Sequence, residues 1–429
     1  MLALAGCAGS SLPSLPKVSD LNPFKQPEKK LPGKRIPVMQ PSTVGGVELA
    51  SADRPVSLPP AIVNASWSQP GGTPSNAPGH VTFAGNARKA WSVDIGDGSG
   101  SRARLTAGPV VANGRIYTMD ASSAVSAYSV SSGKRVWRRS VVPETERSGE
   151  AFGGGVAVEG DRVFAATGYG NVVALDANSG KKLWETSLGV PLKASPTVTD
   201  GQVFVIASDG RTYNLNATDG SQLWEFRGLP QRTGLVSNPS PAVANGFVVV
   251  PYPSGDVVAI RMSEGLAAWS ESVASTRTSA LGAISDASRP VISGGRVYVI
   301  GHSGRMIAAD VTTGERIWSA NVPGIQPPAV AGQNVFVVDV SGRLMSLDAK
   351  TGNALWSAKL PGATKWSGPT LASGRLWLAS HRGQLVSVDA STGKVLSNTS
   401  IGAPVYLAPV IANGTLFVLT DRGRLVAYR

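Results

Sequence analysis

Short runs of apolar and β-branched residues, each followed by a turn, are the dominant pattern from about residue 80 onward. Residues 297–300 form one such run, residues 305–310 form a second, and a third begins after the turn at Gly314. Runs of four to six residues with glycine in the connecting turns are typical of β-hairpins, and no helical period competes with them. The pattern predicts an antiparallel sheet, with residues 289–293 as a further strand whose proline stands near the strand start.

This unit repeats along the chain. A glycine followed four positions later by tryptophan marks each copy, and at Gly393 the tryptophan position is taken by Ser397. Six intervals separate Gly133 from Gly393, a mean period of about 43 residues, which is typical of four-stranded propeller blades. The glycine–tryptophan pairs are Gly133–Trp137, Gly180–Trp184, Gly220–Trp224, Gly265–Trp269, Gly314–Trp318 and Gly352–Trp356.

Counting the first strands gives eight blades. The last repeat stops at residues 425–429, before any strand with the tryptophan motif, and a matching strand stands at the other end as residues 89–93 around Trp91. An N-terminal strand that completes the last blade would close the ring. The sequence therefore predicts an all-β fold, an eight-bladed β-propeller, over residues 67–429. The first strands begin near residues 108, 155, 195, 240, 289, 328, 368 and 408.

The turn before each tryptophan has its own chemistry. An aspartate or asparagine stands four residues before several turn glycines and can cap backbone N–H groups there, which favours a structural role over catalysis. Each tryptophan has a large apolar ring, so we predict that it packs between neighbouring blades. The alternative is that the tryptophans form a row of rings that stack on a ligand. The capping residues are Asp176, Asn216, Asp310, Asp348 and Asp389. The packing residues are Trp91, Trp137, Trp184, Trp224, Trp269, Trp318 and Trp356.

Composition narrows the classes of protein. Of 429 residues 42% are hydrophobic, enough for a sizeable core, and only 16% are charged, which argues against coiled coils. No apolar run approaches the roughly 20 residues of a membrane-spanning helix. One cysteine can form neither an internal disulfide nor a cysteine-based metal cluster. The formal charge of +12 leaves nucleic acid, anionic lipid and acidic proteins open as partners.

The N-terminus carries a compartment signal. Residues 4–7, Leu-Ala-Gly-Cys, resemble the bacterial lipoprotein motif, in which the cysteine sulfur receives a diacylglyceryl group, so Cys7 is the predicted lipidation site and residues 1–7 a signal remnant. Six preceding residues are too few for a signal peptide, so we expect the true start upstream or a trimmed precursor. An incidental small-residue N-terminus is the alternative. Residues 8–66 contain ten prolines and predict a flexible tether.

Residues 174–184, Ala-Leu-Asp-Ala-Asn-Ser-Gly-Lys-Lys-Leu-Trp, resemble the tryptophan-docking motif of pyrroloquinoline-quinone-type (PQQ-like) propeller repeats. One branch of that family, the quinone-dependent dehydrogenases, holds the quinone and a calcium ion on the propeller axis. Those enzymes stack the quinone on an adjacent-cysteine disulfide, and no cysteine pair exists here. His80, His302 and His381 lie far apart, and we identify no calcium-binding set. We therefore predict no catalytic, cofactor-binding or metal-binding residues.

The chain better resembles the BamB branch, lipoprotein scaffolds of the outer-membrane β-barrel assembly complex. The lipoprotein motif, the tether and the eight blades with split closure carry this resemblance. It implies a non-enzymatic protein without cofactor, lipid-anchored on the periplasmic side of the outer membrane. The implied partners are a BamA-like barrel protein, bound through a polypeptide-transport-associated (POTRA) domain, and other subunits of the complex. A periplasmic propeller that binds peptidoglycan or another envelope ligand is an alternative, as is a quinoprotein, whereas nucleic acid is disfavoured.

Two loops depart from the regular spacing. The interval from Gly265 to Gly314 is the longest in the series, with its surplus at residues 270–288, and the linker 226–239 precedes it. The resemblance places POTRA contacts in these loops, although Val236 stands where the family has a basic residue. An ordinary surface loop is the alternative for each residue. The predicted partner-binding residues are Leu229, Arg232, Leu235, Leu281, Ile284, Asp286 and Arg289.

Overall fold

Strands joined by short turns make up the described part of the chain. The computed structural model describes residues 55–83, 85–101, 103–228, 239–274, 287–302 and 304–429. It also describes two short paired strands, β1 (Thr43–Val44) and β2 (Val47–Glu48). No helix among these residues combines the length and apolar content needed to cross a bilayer.

The strands assemble into eight four-stranded antiparallel sheets, which confirms the predicted propeller. Blade 1 contains β4 (Val110–Ala112), β5 (Arg115–Met119), β6 (Ala124–Ser129) and β7 (Arg135–Ser140), and blade 2 contains β8 (Gly154–Glu159), β9 (Arg162–Thr167), β10 (Asn171–Asp176) and β11 (Lys182–Ser187). Blade 3 contains β12 (Thr197–Thr199), β13 (Gln202–Ile206), β14 (Arg211–Asn216) and β15 (Gln222–Arg227). Blade 4 contains β16 (Ala242–Ala244), β17 (Phe247–Pro251), β18 (Asp256–Arg261) and β19 (Ala267–Ser272). Blade 5 contains β20 (Val291–Ser293), β21 (Arg296–Ile300), β22 (Met306–Asp310) and β23 (Arg316–Ala320). Blade 6 contains β24 (Ala329–Ala331), β25 (Asn334–Val338), β26 (Arg343–Asp348) and β27 (Ala354–Lys359). Blade 7 contains β28 (Trp366–Ala372), β29 (Arg375–Ser380), β30 (Gln384–Asp389) and β31 (Val395–Ser400). Blade 8 combines β32 (Val410–Ala412), β33 (Thr415–Leu419) and β34 (Arg424–Tyr428) with β3 (Lys89–Asp94).

Each blade has strands A to D, counted from the axis outward, and the A strands of adjacent blades contact one another. The D-to-A connections and the B–C turns share one face of the ring, called here the loop face. The A–B and C–D turns share the opposite face, called the turn face. Middle strands are almost entirely buried, whereas D strands such as β15 alternate between exposed and half-buried residues. The core therefore consists of apolar layers between adjacent sheets.

The tryptophans of the outer strands occupy these layers. In seven of the eight interfaces a D-strand tryptophan packs on the C–D turn glycine of the next blade, and its indole N–H donates to a carbonyl beside that turn. Gly220, for example, has a φ of +75°, and a Cβ there would lie 2.5 Å from Trp184 Cε3. The donor–acceptor pairs, at 2.9–3.2 Å, are Trp91 with Val130, Trp137 with Ala177, Trp184 with Ala217, Trp224 with Met262, Trp269 with Val311, Trp318 with Ala349 and Trp356 with Ala390.

The capping residues also take the predicted structural role. Asp310 Oδ1 accepts the backbone N–H groups of Thr312 and Thr313 at 2.8 and 2.9 Å, and Asn216 Oδ1 accepts that of Thr218 at 2.7 Å. Such hydrogen bonds favour the carboxylate, and the backbone bond from Thr313 is the main reason that the pKa of Asp310 is lowered. Asp176, Asp348 and Asp389 accept the corresponding N–H groups in their own turns.

The ring closes through β3, as predicted. β3 pairs antiparallel with β34, with Lys89 opposite Tyr428 and Asp94 opposite Arg424. Since the D strand of blade 8 comes from the N-terminal part of the chain, blade 8 has no C–D turn and no docking glycine. The preceding D strand carries Ser397 in place of tryptophan, and its hydroxyl bonds to Ser387 at 2.6 Å within its own blade.

Residues 55–82 run around the inside of the ring at the turn face and are called here the axial strap. Within the predicted tether of residues 8–66, Ser57 and Asn64 already bond to the propeller. Every blade contributes at least one contact to the strap. These are Asn334 with Ser57 (blade 6), Asn413 with Asn64 (blade 8), Val111 with Trp67 (blade 1), Val158 with Ser68 (blade 2), Val198 with Gln69 (blade 3), Val243 with Pro74 (blade 4), Ile292 with Ser75 (blade 5) and Leu371 with Val81 (blade 7).

Candidate partner-binding face

Both surplus loops leave the ring on the loop face at neighbouring blade junctions. Residues 229–238 connect β15 to β16, and residues 275–286 connect β19 to β20, so both adjoin blade 4. Six of the seven predicted contact residues lie outside the described residues, and their roles stay predictions. They are Leu229, Arg232, Leu235, Leu281, Ile284 and Asp286.

The residue before the first loop and the residues that flank the second loop meet at the B–C turn of blade 4. Gly228 lies so close to Tyr252 that a Cβ there would be 2.5 Å from the phenol oxygen. The N–H of Ala287, at the end of the second loop, donates to the Tyr252 carbonyl at 3.4 Å, and that of Val273 donates to the Gly255 carbonyl at 2.8 Å. Tyr252 is buried, and burial raises its pKa to about 12. One turn with a buried tyrosine therefore positions the start of the first loop and both ends of the second.

Blade 5 fixes the second loop further. Ala287 forms a β-bridge with Gly301, and the N–H of Ser288 donates to the Ile300 carbonyl at 2.8 Å. Gly301 also packs on Val273, where a Cβ would lie 2.7 Å from a valine methyl. The two ends of the 275–286 loop are thus held on one strand end, so the loop leaves the ring at a defined place.

Arg289 is the one predicted contact residue that the structure describes. It is half-buried between Ser288 and Pro290, and burial lowers the pKa of its guanidinium to about 10. Its Nε is buried and has no hydrogen-bond partner among the described residues. The part of Arg289 in partner contact stays a prediction.

The histidines have structural surroundings. His80 lies in the axial strap, where Nε2 accepts the Gly374 N–H at 2.8 Å and Nδ1 faces the Pro59 carbonyl at 2.7 Å. Since Nε2 accepts, Nδ1 carries the proton. His302 and His381 lie in the B–C turns of blades 5 and 7. Within the described ranges no three His, Cys, Asp or Glu side chains are arranged to hold a metal ion.

Comparison with known proteins decides the family. The family model described as outer membrane protein assembly factor BamB matches residues 79–148, 122–358 and 340–429. The chain belongs to the BamB family. Curated BamB proteins from Moranella endobia and Yersinia pestis are 25% and 26% identical to it over 242 and 243 residues. Those alignments cover 55% and 54% of this chain and 62% and 61% of the two relatives.

Solved structures show how widely the fold is shared. BamB from Moraxella catarrhalis superposes with a TM-score of 0.66 at 17% identity, over 80% of this chain and 99% of that one. Quinohemoprotein alcohol dehydrogenase from Comamonas testosteroni superposes with a TM-score of 0.69 at 14% identity, over 86% of this chain and 81% of the enzyme. Since an assembly factor and an enzyme fit equally well, the fold alone does not separate the two functions.

Proposed function

We propose that this BamB-family chain is a non-enzymatic docking scaffold of the outer-membrane β-barrel assembly complex. In this proposal the loops at 229–238 and 275–286 hold a POTRA domain of a BamA-like barrel protein. The observation that carries it is the position of Gly228 and Ala287 beside the Tyr252 turn, because the two loops are then attached to one place on the ring. Mixed apolar and charged residues in the loops suit a modest protein interface.

The axial strap supports this reading over the quinoprotein alternative. A quinone on the axis would need inner-strand groups and side chains free to receive a flat, anionic ring. At the turn face those groups already bond to the strap: Gln69 bonds both the N–H and the carbonyl of Val198, at 3.1 and 2.9 Å, and Asn76 Nδ2 donates to the carbonyls of Pro241 and Pro290 at 3.3 and 2.9 Å. At this end of the axis the strap therefore occupies groups that a quinone would need.

Affinity capture tests the scaffold proposal. A tagged chain isolated from detergent-solubilised membranes should bring down a BamA-like protein in amounts comparable to itself, read by mass spectrometry. A variant that lacks residues 229–238 and 275–286 should lose that partner. Equal capture by the loop-deleted chain would place the interface elsewhere, and no BamA-like protein with the intact chain would contradict the proposal.

Lipid anchoring is a separate part of the proposal. Acylated Cys7 would tether the propeller to the periplasmic side of the outer membrane. Intact mass spectrometry of the protein made from its full precursor should show a lipid adduct that Cys7→Ser abolishes. An identical lipidated mass in the Cys7→Ser protein would contradict this assignment without affecting the docking proposal.

A further inference from the structure

The interface between blades 7 and 8 differs from the other seven. Elsewhere a tryptophan fills the outer space between sheets, but here Ser397 bonds within its own blade and blade 8 has no C–D turn to receive a ring. A groove of about 740 Å³ lies at this interface, between residues 399–403 of blade 7 and the β3–β34 pair of blade 8. We call it the seam groove. Its size falls within the range of about 300–1,000 Å³ that is usual for ligand sites.

Cations dominate the lining of the seam groove. Arg88, Lys89, Arg422 and Arg424 line it, and Asp94 is the one carboxylate among its lining residues. All four cations are exposed, and none forms an ion pair with another described residue. An uncompensated positive groove favours an anionic occupant.

The spacing of the cations decides the shape of that occupant. Lys89 and Arg424 stand at opposite ends of the β3–β34 pair, since Lys89 pairs with Tyr428 and Arg424 with Asp94. The two ends are four residues apart along β34, about 13 Å at the usual rise, because β3 contains a bulge between Lys89 and Trp91. A single phosphate or carboxylate cannot contact both ends, whereas an extended chain with several acidic groups can.

We propose that the seam groove binds an extended acidic polypeptide segment of a partner protein. Thr399 and Ser400 of β31 offer hydrogen-bonding groups along one wall, and the cations at both ends fix the segment's length and charge. The chain's own residues 8–54 do not suit this role, because their charge is net positive. The site lies away from the two loops of the loop face and does not depend on the proposed function.

Fluorescence anisotropy of a labelled peptide of alternating glutamate and serine, titrated with the full chain, tests this proposal. The double variant Arg88→Glu with Arg422→Glu should raise the dissociation constant for the peptide roughly tenfold. It removes two ion pairs between the groove and the peptide and adds repulsion between the new glutamates and those of the peptide. Lys134→Glu with Arg135→Glu, an exposed pair at blade 1, changes the net charge equally and should leave it within about twofold. Ser397→Trp should also weaken binding without changing charge, because it restores the ring found in the other interfaces.

The outcomes separate a groove from general electrostatic attraction. Equal weakening by both charge-reversed pairs, or by neither, would overturn the proposal. Vesicles containing phosphatidylglycerol form a second arm, and groove-dependent binding of vesicles without binding of the peptide would replace the peptide by a lipid headgroup. If circular dichroism shows that the Ser397→Trp variant does not fold, the two charge-reversed pairs still test the proposal.

Discussion

At the scale of single residues, the contact between blades depends on the absence of a side chain. Gly220 combines a left-handed φ with direct contact to Trp184 and Thr186, so an added methyl group meets strain and overlap together. Gly201 has a similar φ of +69° but open space around its Cβ position. Comparing alanine substitutions at the two glycines therefore separates the backbone strain of an added methyl group from its overlap with the packed side chains.

Gly220→Ala should lower the free energy of unfolding by about 2–4 kcal/mol, from left-handed strain plus overpacking. Gly201→Ala should lower it by only about 1–2 kcal/mol, from strain alone. Urea unfolding of both variants measures the difference, and equal losses would show that tryptophan docking does not depend on the bare glycine.

The capping carboxylates predict a pH dependence. The Ser391 hydroxyl is the main cause of the lowered pKa of Asp389, so this residue stabilises the fold above its unfolded pKa near 4 and loses that contribution as the pH falls further. Asp389→Asn should keep the cap, as Asn216 does in blade 3, and make the fall in Tm between pH 6 and pH 3 shallower. Asp161→Asn, at an exposed aspartate, serves as control, and an equally shallow fall there would contradict the argument.

At the scale of elements, the strands were predictable and the axial strap was not. Turn glycine, capping aspartate and tryptophan lie within one short stretch, so the sequence shows each blade directly. The strap instead makes isolated contacts with each blade, and its prolines hide any strand period. Positions such as Asn76, with a φ of +57° and bonds to blades 4 and 5, have no local signature. The loop ends that contact Tyr252 are also far from it along the sequence, so no local pattern predicted these contacts.

Asn76→Asp should destabilise the protein by about 2–4 kcal/mol at neutral pH, because it removes two buried donors and sets a carboxylate against two carbonyls. Asn245→Asp makes the same change at an exposed turn residue that also has positive φ, and should alter stability by less than about 0.5 kcal/mol. Thermal unfolding of the pair tests whether the strap holds the ring. Similar Tm values for both variants would reduce the strap to a passive segment.

At the scale of the whole molecule, two separate devices close the ring. β3 completes blade 8 on the outside and sends Trp91 onto Gly133 of blade 1, while the strap contacts all eight blades on the inside. Seven tryptophan contacts and one open seam follow from this closure. The strap lies at the turn face, on the opposite side of the ring from the ends of the two surplus loops.

Removal of residues 84–98 should expose the edge of β34 and leave the docking turn of blade 1 empty, which promotes association through unpaired strands. We expect a lower Tm and oligomers in size-exclusion chromatography. Trp91→Ala, which keeps the strand and removes only the ring, should lower the Tm less and stay monomeric. A monomeric deletion protein with unchanged Tm would contradict closure by β3.

Calorimetric titration of the purified chain with the POTRA region of a BamA-like protein tests the docking claim most directly. The wild-type chain should bind, and Leu235→Asp should lose about 2–5 kcal/mol of binding free energy because it buries an unpaired charge in the contact. Leu223→Asp, at a leucine 50% exposed on the outer strand of blade 3, should bind like the wild type. Unaltered binding by Leu235→Asp, together with tight binding of pyrroloquinoline quinone and substrate-dependent dye reduction, would contradict the scaffold account.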